Sequence, residues 1–549
     1  MGGHLSHLKP ESHSEVLNAK FGPVRGNVYR HRDKIVDGYL GIPYAKPPIG
    51  ELRFKKPESV EPWKEIRDCT KYGPRSPQSG PFAEAIRFEK NDIADEANCL
   101  TLNVFAPRWM SEDYKDKRPV MVYIHGGGFE CSASRDYCDY SISGTLPLKD
   151  VIVVTMNYRI GILGFFSTGD SVCPGNFALW DLTLGLEWVK EHISAFGGDP
   201  NNVTIFGQSA GAALVDILSL SPKSRDLFHS VIVMSGGALC EYAVRTAESQ
   251  GNVCKEFARH LGYEGNGYSK SVFDWIRTKP VEEIQNMKQF VVPASGILAY
   301  TPNLDGDFLP KPLNELRRES SKKNMMLGFT EKEGLFFEFL IRDPTPRLEA
   351  LERNINQFYK EDTGEDYKKV CSDMLEFYTR GVDKSDEQRL KEIVTEFYAD
   401  ALFTGGIFEN AQCCLKYGHN VWLYIFDYCE PSGYGPQREF MSSMGATHGT
   451  DLRYVLGEGF YSEFHPTDDE LKMIDKMTEI YTNFAKSGNP NETGSNAWEP
   501  YDSNHPRRHY RISYPNDEMR EDWNSDRMKY LESVRRNNKN LEIVVHGRL

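Results

Sequence analysis

Ser209 stands in the run TIFGQSAGAALV, residues 204–215, where G-x-S-x-G is flanked by apolar residues on both sides. A serine in this pattern acts as a nucleophile when it occupies a sharp strand-to-helix turn, since glycine on either side admits the strained backbone. Ile205 and Phe206 can end a strand, and Ala212, Ala213 and Leu214 can begin a helix, so the required context is present. A chain with 46 glycines could also show the pattern at an ordinary junction of small residues. Nucleophilic catalysis needs three further parts: donors for an oxyanion, a base, and an acid that orients the base.

Upstream, YIHGGGFE places Gly126, Gly127 and Gly128 directly after an apolar run. Alone, a glycine triplet reads as a flexible turn. Ahead of G-x-S-x-G it fits a loop whose N–H groups hold an oxyanion together with the amide after the nucleophile, which here means Gly127, Gly128 and Ala210. Downstream, FTEKEGLFFEF offers Glu331 and Glu333 after another apolar run. Most loop glutamates are merely solvated, but one held against an imidazole fixes its tautomer and stabilises its cation. Six histidines follow: His419, His448, His465, His505, His509 and His546. His448, in SSMGATHGTDLRYVLG, has glycine after it and lies in a polar loop, whereas the others sit beside charge or near the end. It is the best candidate base in the order serine, acid, histidine.

These residues must be held by the elements around them. PVMVYIH (119–125), VIVVTMNY (151–158), VTIFG (203–207), SVIVMSG (230–236), NMMLGF (324–329) and NVWLYIFDY (420–428) are short, β-branched and apolar throughout. Runs of this kind predict strands buried on both faces of a mostly parallel sheet. Helical patterns lie between them: WDLTLGLEWVKEHISAFG, SAGAALVDILSLS and DDELKMIDKMTEIYTNFAKSG, the last stopped by Gly488 and Pro490. The alternation predicts an α/β fold, a large open sheet with helices on both faces. Residues 345–395 are charged and helical in pattern and read as an insertion or cap. No Pro-, Gly- or Ser-rich linker divides the chain, so the expectation is an N-terminal tail over 1–18 and a single domain over 19–549.

The bulk numbers exclude several classes. With 549 residues, 40% hydrophobic and 12% aromatic, the chain can bury a large core, and it shows no internal repeat. A net charge of −14 without a Lys/Arg block argues against nucleic acid as a partner. No apolar h-region or membrane-length apolar run is present, so the expected location is the cytoplasm. Met1-Gly2 followed by Ser6 matches an N-myristoylation pattern, with Gly2 as acceptor; one such chain would give only marginal membrane binding, and an ordinary soluble tail explains the residues better. Eleven cysteines without zinc spacing read as reduced, buried thiols, and the sequons at Asn202 and Asn491 are expected to be unused.

The assembled motifs resemble the type-B carboxylesterases of the cholinesterase family, within the α/β-hydrolase fold. GIPYAKPPIGELRFKKP, CLTLNVFAP, YIHGGGF, NYRIGILGF, WDLTLGLEWVKEHISAFGGDPNNVTIFGQSAG, EGLFF and THGTDLRYVLG carry the resemblance, which runs from about residue 20 to about residue 515. It implies Ser209 as nucleophile, Glu333 as acid, His448 as base, Ser235 in VMSGG as a buried hydroxyl near them, and an Arg159–Asp181 ion pair. It also implies a Cys69–Cys99 disulfide closing a loop of about 30 residues, worth about 3–4 kcal/mol where oxidised and left open in a reducing cytosol.

Departures from the family pattern carry information. Gln208 precedes the serine where the family usually has glutamate, which predicts a shifted pH profile with activity retained. ANC ahead of Cys99 replaces an acidic pattern and is expected to lose one ion pair, and Tyr263 and Trp275 fall where a second disulfide would lie. Between Cys69 and Cys99 there is no tryptophan of the kind that cholinesterases use to bind quaternary ammonium. SGILAYTP, with Gly296 and Leu298, stands where those enzymes narrow the acyl pocket with aromatic residues, and these smaller side chains predict room for acyl groups larger than acetyl; Phe336 of EGLFF is a further candidate pocket residue. The expected activity is hydrolysis of a small-molecule carboxylic ester through an acyl-enzyme on Ser209, with neither metal nor cofactor. An acyltransferase using the same intermediate, and a non-catalytic binding protein on the same fold, are the alternatives.

Overall fold

The computed structural model describes residues 9–78, 93–114, 117–287, 290–341, 347–441, 443–459, 464–523 and 525–548. Twelve strands form the main sheet: β1 Ser12–His13, β2 Asn27–His31, β3 Lys34–Pro43, β4 Thr101–Pro107, β5 Arg118–Ile124, β6 Ile152–Met156, β7 Gly198–Gln208, β8 Ser230–Met234, β9 Asn324–Thr330, β10 Asn420–Phe426, β11 His509–Ile512 and β12 Glu518–Arg520. Their spatial order is β1-β2-β3-β4-β6-β5-β7-β8-β9-β10-β11-β12. From β6 to β11 every neighbouring pair is parallel, and the pairs at both ends are antiparallel. The six strands expected from apolar runs form the parallel centre of this sheet.

Side-chain alternation divides the core into two layers. Val120, Val122, Ile124, Val231 and Val233 join one buried cluster, and Met121, Tyr123, Ile232 and Met234 join the other. Each fully buried aliphatic side chain of this kind contributes about 1.5–3 kcal/mol relative to exposure. Helices Phe177–His192 and Ala210–Leu220 cover the first layer, and Asp468–Ser487 covers the second. The last of these starts in a capping box, with Thr467 Oγ1 accepting the Glu470 N–H (3.2 Å) and Glu470 Oε2 accepting the Thr467 N–H (2.9 Å). It ends on Gly488 in the left-handed region. The charged stretch expected to form a cap consists of helices Arg347–Phe358, Tyr367–Thr379 and Glu387–Ala399.

Several expectations need adjustment. Ser12–His13 pairs with Val28 and Asn27 at the sheet edge, so the chain joins the fold before the expected boundary at residue 19. Cys69 and Cys99 are free, buried thiols, and the disulfide that the resemblance implies is not formed. Cys99 Sγ instead donates to the Glu96 carbonyl at 3.5 Å, and burial pushes both thiols up to about 12. The ion pair expected to be lost ahead of Cys99 has a substitute, because Glu96 takes Arg53 in a two-pronged contact (2.6 and 3.1 Å). Tyr263 and Trp275 pack edge-on at 5.5 Å between centroids, an aromatic contact where the family has its second bridge. Arg159 and Asp181 form a buried two-pronged pair (2.8 and 2.6 Å).

Candidate active site

Strand β7 ends at Gln208, and the helix Ala210–Leu220 begins at the residue after Ser209. Ser209 itself has φ 60° and ψ −128°, a conformation costly for any residue bearing a side chain. Both flanking glycines are required by close approach. A Cβ on Gly207 would lie 2.6 Å from the Gly211 carbonyl oxygen, and one on Gly211 would lie 2.2 Å from that of Ile124. The Ser209 N–H donates to the Met234 carbonyl (2.9 Å), which ties the turn to β8.

The glycine triplet leaves β5 beside this turn. Gly127 and Gly128 have φ values of 99° and 60°, so both lie where glycine is favoured. The Gly127 carbonyl is occupied from behind by the N–H groups of Glu130 and Cys131 (3.0 Å each). His125 anchors the start of the turn: its Nδ1 is 3.0 Å from the Gly126 carbonyl, its ring stacks on Tyr158 at 4.4 Å, and burial pushes its pKa down to about 4. An uncharged imidazole therefore lies there at neutral pH. Ala210, fully buried, supplies the first helical N–H after the serine.

Glu333 and His448 come together although 115 residues separate them: His448 Nδ1 is 2.6 Å from Glu333 Oε2. The other carboxylate oxygen accepts from Ser235 Oγ (2.5 Å) and from the Thr330 N–H (2.7 Å). Glu333 is fully buried, and His448 is 2% exposed. Thr447 Oγ1 donates to the Glu333 carbonyl (3.2 Å) and accepts the Phe336 N–H (3.0 Å), which joins the two loops. Because Nδ1 faces a carboxylate it carries the ring proton, and Nε2 presents its lone pair to Gln208 Nε2 at 3.1 Å. Glu331, the other candidate acid, is exposed and lies outside this contact.

Ser209, His448, Gln208, Gly127 and Gly128 line one cavity with Leu298 and Phe336, with about 490 Å³ of empty space including its opening to solvent. Gly296 is not part of its lining; Ile297 is. Sequence reasoning missed Tyr242, Phe337, Leu402 and Phe403, which complete the wall. Phe403 lies on a single π-helical turn, Asp400–Thr404, and stacks on the His448 ring at 4.4 Å with 25° between planes. No periodic or motif signal marks that turn; only the run of apolar residues in DALFTGGIF hinted at burial. Asp451 is fully buried, and burial together with the charge of Glu333 pushes its pKa up to about 7. Among the described residues no group of His, Cys, Asp and Glu is arranged to hold a metal ion, and no helix is long and apolar enough to cross a membrane. Gly2 lies outside the described residues.

A sequence profile of the carboxylesterase family matches residues 13–531. The chain is 50% identical to esterase cest-33 of Caenorhabditis elegans over 100% of its own length and 99% of that protein. It is 34% identical to a juvenile hormone esterase of Tribolium castaneum over 88% of this chain and 85% of the other. It is 32% identical to a medium-chain fatty acyl-CoA hydrolase precursor of Anas platyrhynchos, over 90% and 88% respectively.

Proposed function

The chain belongs to the carboxylesterase family and is a carboxylic ester hydrolase of the α/β-hydrolase fold, and from that premise we propose that Ser209, His448 and Glu333 carry the reaction. Ser209 Oγ attacks the ester carbonyl as His448 Nε2 takes its proton, and Glu333 holds Nδ1–H and stabilises the imidazolium. The N–H groups of Gly127, Gly128 and Ala210 receive the oxyanion, each donor worth about 2.7–4 kcal/mol of barrier. His448 then protonates the departing alcohol, and water, activated by the same ring, hydrolyses the acyl-enzyme. In this reading the chain acts as one domain, which takes in the edge strand Ser12–His13 together with residues 19–549. The observation that carries it is the 2.6 Å contact of Glu333 with His448 in the cavity that also exposes the strained Ser209.

The cavity favours neutral substrates. Apart from the proposed catalytic residues and Gln208, its described wall is glycine, aliphatic or aromatic, with the Tyr242 hydroxyl buried and without a hydrogen-bond partner among the described residues. An ionic acyl group would lose its hydration there with nothing to replace it. The test is intact-mass analysis after treatment with a fluorophosphonate, on the native chain and on Ser209→Ala. A single adduct on the native chain and none on the variant is expected; adduct formation on both, or on neither, would remove Ser209 from this role.

A further inference from the structure

Residues 295–300 bring Ile297 and Leu298 to the cavity wall without belonging to a helix or strand, so their place depends on side chains that grip their backbone. Arg245, 6% exposed, grips one side. Its Nη2 donates to the carbonyls of Leu298 (2.7 Å) and Ser295 (3.1 Å), and its Nη1 to that of Ala299 (3.2 Å) and to Gln250 Oε1 (3.3 Å). Asp362 accepts the Ser295 N–H at 3.0 Å. From the opposite side, Glu130 Oε1 accepts the Ala299 N–H at 3.2 Å. Glu130 is also part of the glycine turn, since its own N–H donates to the Gly127 carbonyl at 3.0 Å. The two walls meet where Leu298 Cδ2 lies 3.3 Å from the position a Cβ on Gly128 would take.

Resting on the reading of Ser209 as nucleophile, we infer that Glu130 is a positioning residue that ties the oxyanion turn to the 295–300 loop, so that its carboxylate charge sets the width of the cavity at Leu298 and with it the acyl groups that fit. Burial pushes the Glu130 carboxyl up to about 7, against the opposing pull of the Ala299 and Tyr300 N–H groups and of Arg245. Five titratable side chains besides Glu130 belong to this cluster, of which Cys254, beside Arg245 and Tyr300, is held protonated by burial. Arg245, brought down to about 10 by burial, stays a cation through neutrality. Tyr300 and Cys131 are both held protonated by burial. Asp362 lies beyond Arg245 and also acts on it. Glu130 thus changes charge near neutrality while its cationic partner keeps its own. Ionised, it attracts Arg245 and the loop N–H groups and holds Leu298 against Gly128. Protonated, it loses the attraction to Arg245, and the loop relaxes away from the turn.

The experiment follows the ratio of kcat/KM for p-nitrophenyl hexanoate to that for p-nitrophenyl acetate across pH. Both substrates report the same catalytic histidine, so its titration cancels and the ratio isolates the cavity. In the native protein the ratio should fall about threefold between about pH 6 and about pH 8.5, and in Glu130→Gln it should vary by less than about 1.5-fold. A flat ratio in the native protein overturns the proposal without recourse to any variant. A Glu130→Gln protein that labels fully with fluorophosphonate yet follows the native curve overturns it as well. Failure of the underlying reading is distinguishable, because then native Ser209 would take no fluorophosphonate at all.

Discussion

Gln208 Nε2 and His448 Nε2 lie 3.1 Å apart, so the ring nitrogen proposed to take the Ser209 proton already accepts a hydrogen bond from the residue before that serine. The amide can serve both states of the ring, donating to the neutral form and, after rotating, accepting from the imidazolium through its oxygen. A carboxylate at the same place could only accept, and its charge would favour the cation. Gln208→Glu should therefore move the acid limb of the kcat/KM profile upward by about one pH unit and leave the plateau within about threefold of native. A pH-rate profile on a neutral ester, where substrate ionisation contributes nothing, checks this; an unmoved acid limb would mean that the side chain at 208 does not act on the base.

Glu333 has every oxygen contact committed: one oxygen to His448, the other to Ser235 Oγ and the Thr330 N–H. Glutamine at this position keeps the shape but must turn an NH₂ against one of these donors. The ring then loses the partner that fixes its tautomer, and a loss of about 10⁴-fold in kcat is expected for Glu333→Gln with folding retained. Steady-state kinetics together with the fluorophosphonate labelling rate would show it, and the two should fall in parallel because both depend on the same base.

Phe403 covers one face of the His448 ring at 4.4 Å, and Phe336 lies 5.5 Å from it. The π-helical turn Asp400–Thr404 inserts an extra residue between two helices and directs this ring into the cavity. Phe403→Leu keeps an apolar side chain but removes the flat surface against which the imidazole rests. The expected outcome is a fall in kcat of about tenfold to a hundredfold with KM for a small ester nearly unchanged, since the loss lies in the placement of the base and not in substrate contact. A rise in KM with kcat intact would identify Phe403 as a substrate contact instead.

The central sheet was legible because strands such as IVVTM and SVIVM are buried on both faces and leave a continuous apolar signature. The antiparallel edge was less so. KIVDGYLGIP mixes charge, glycine and apolar residues without a clean two-residue period, and only its last three residues, GIP, lie in a family motif. At the site, Ser209 and the glycine turn were legible because local backbone strain demands particular residue types at fixed spacing. Tyr242 and Phe403 were not, because any aromatic residue packed in a core has the same local sequence appearance. The Glu130–Ala299 contact spans 169 residues and the Gln208–His448 contact 240, and no local pattern encodes a pairing at that distance.

Asp451 makes the pH dependence of stability itself a test of the site's electrostatics. Both its carboxyl oxygens are buried and make no hydrogen bond of ordinary geometry among the described residues, and its pKa stands at about 7 because burial and the charge of Glu333 oppose its ionisation. The folded state therefore holds this proton up to about pH 7, whereas the unfolded chain releases it near the ordinary carboxylate value of about 4. Between those values the folded state binds more protons than the unfolded one, so this residue lowers stability as pH rises and has no further effect above the window. Glu130, with its pKa also raised to about 7, contributes with the same sign. Asp451→Asn removes one of the two. Relative to native, it should gain stability on the order of a few kcal/mol as pH goes from about 5 to about 8, even if its stability at the lower pH differs from native. Urea unfolding midpoints of both proteins at the two pH values read this difference directly. Parallel pH dependence in the two proteins would show that Asp451 is already ionised across the window, with its charge met by a partner or by water.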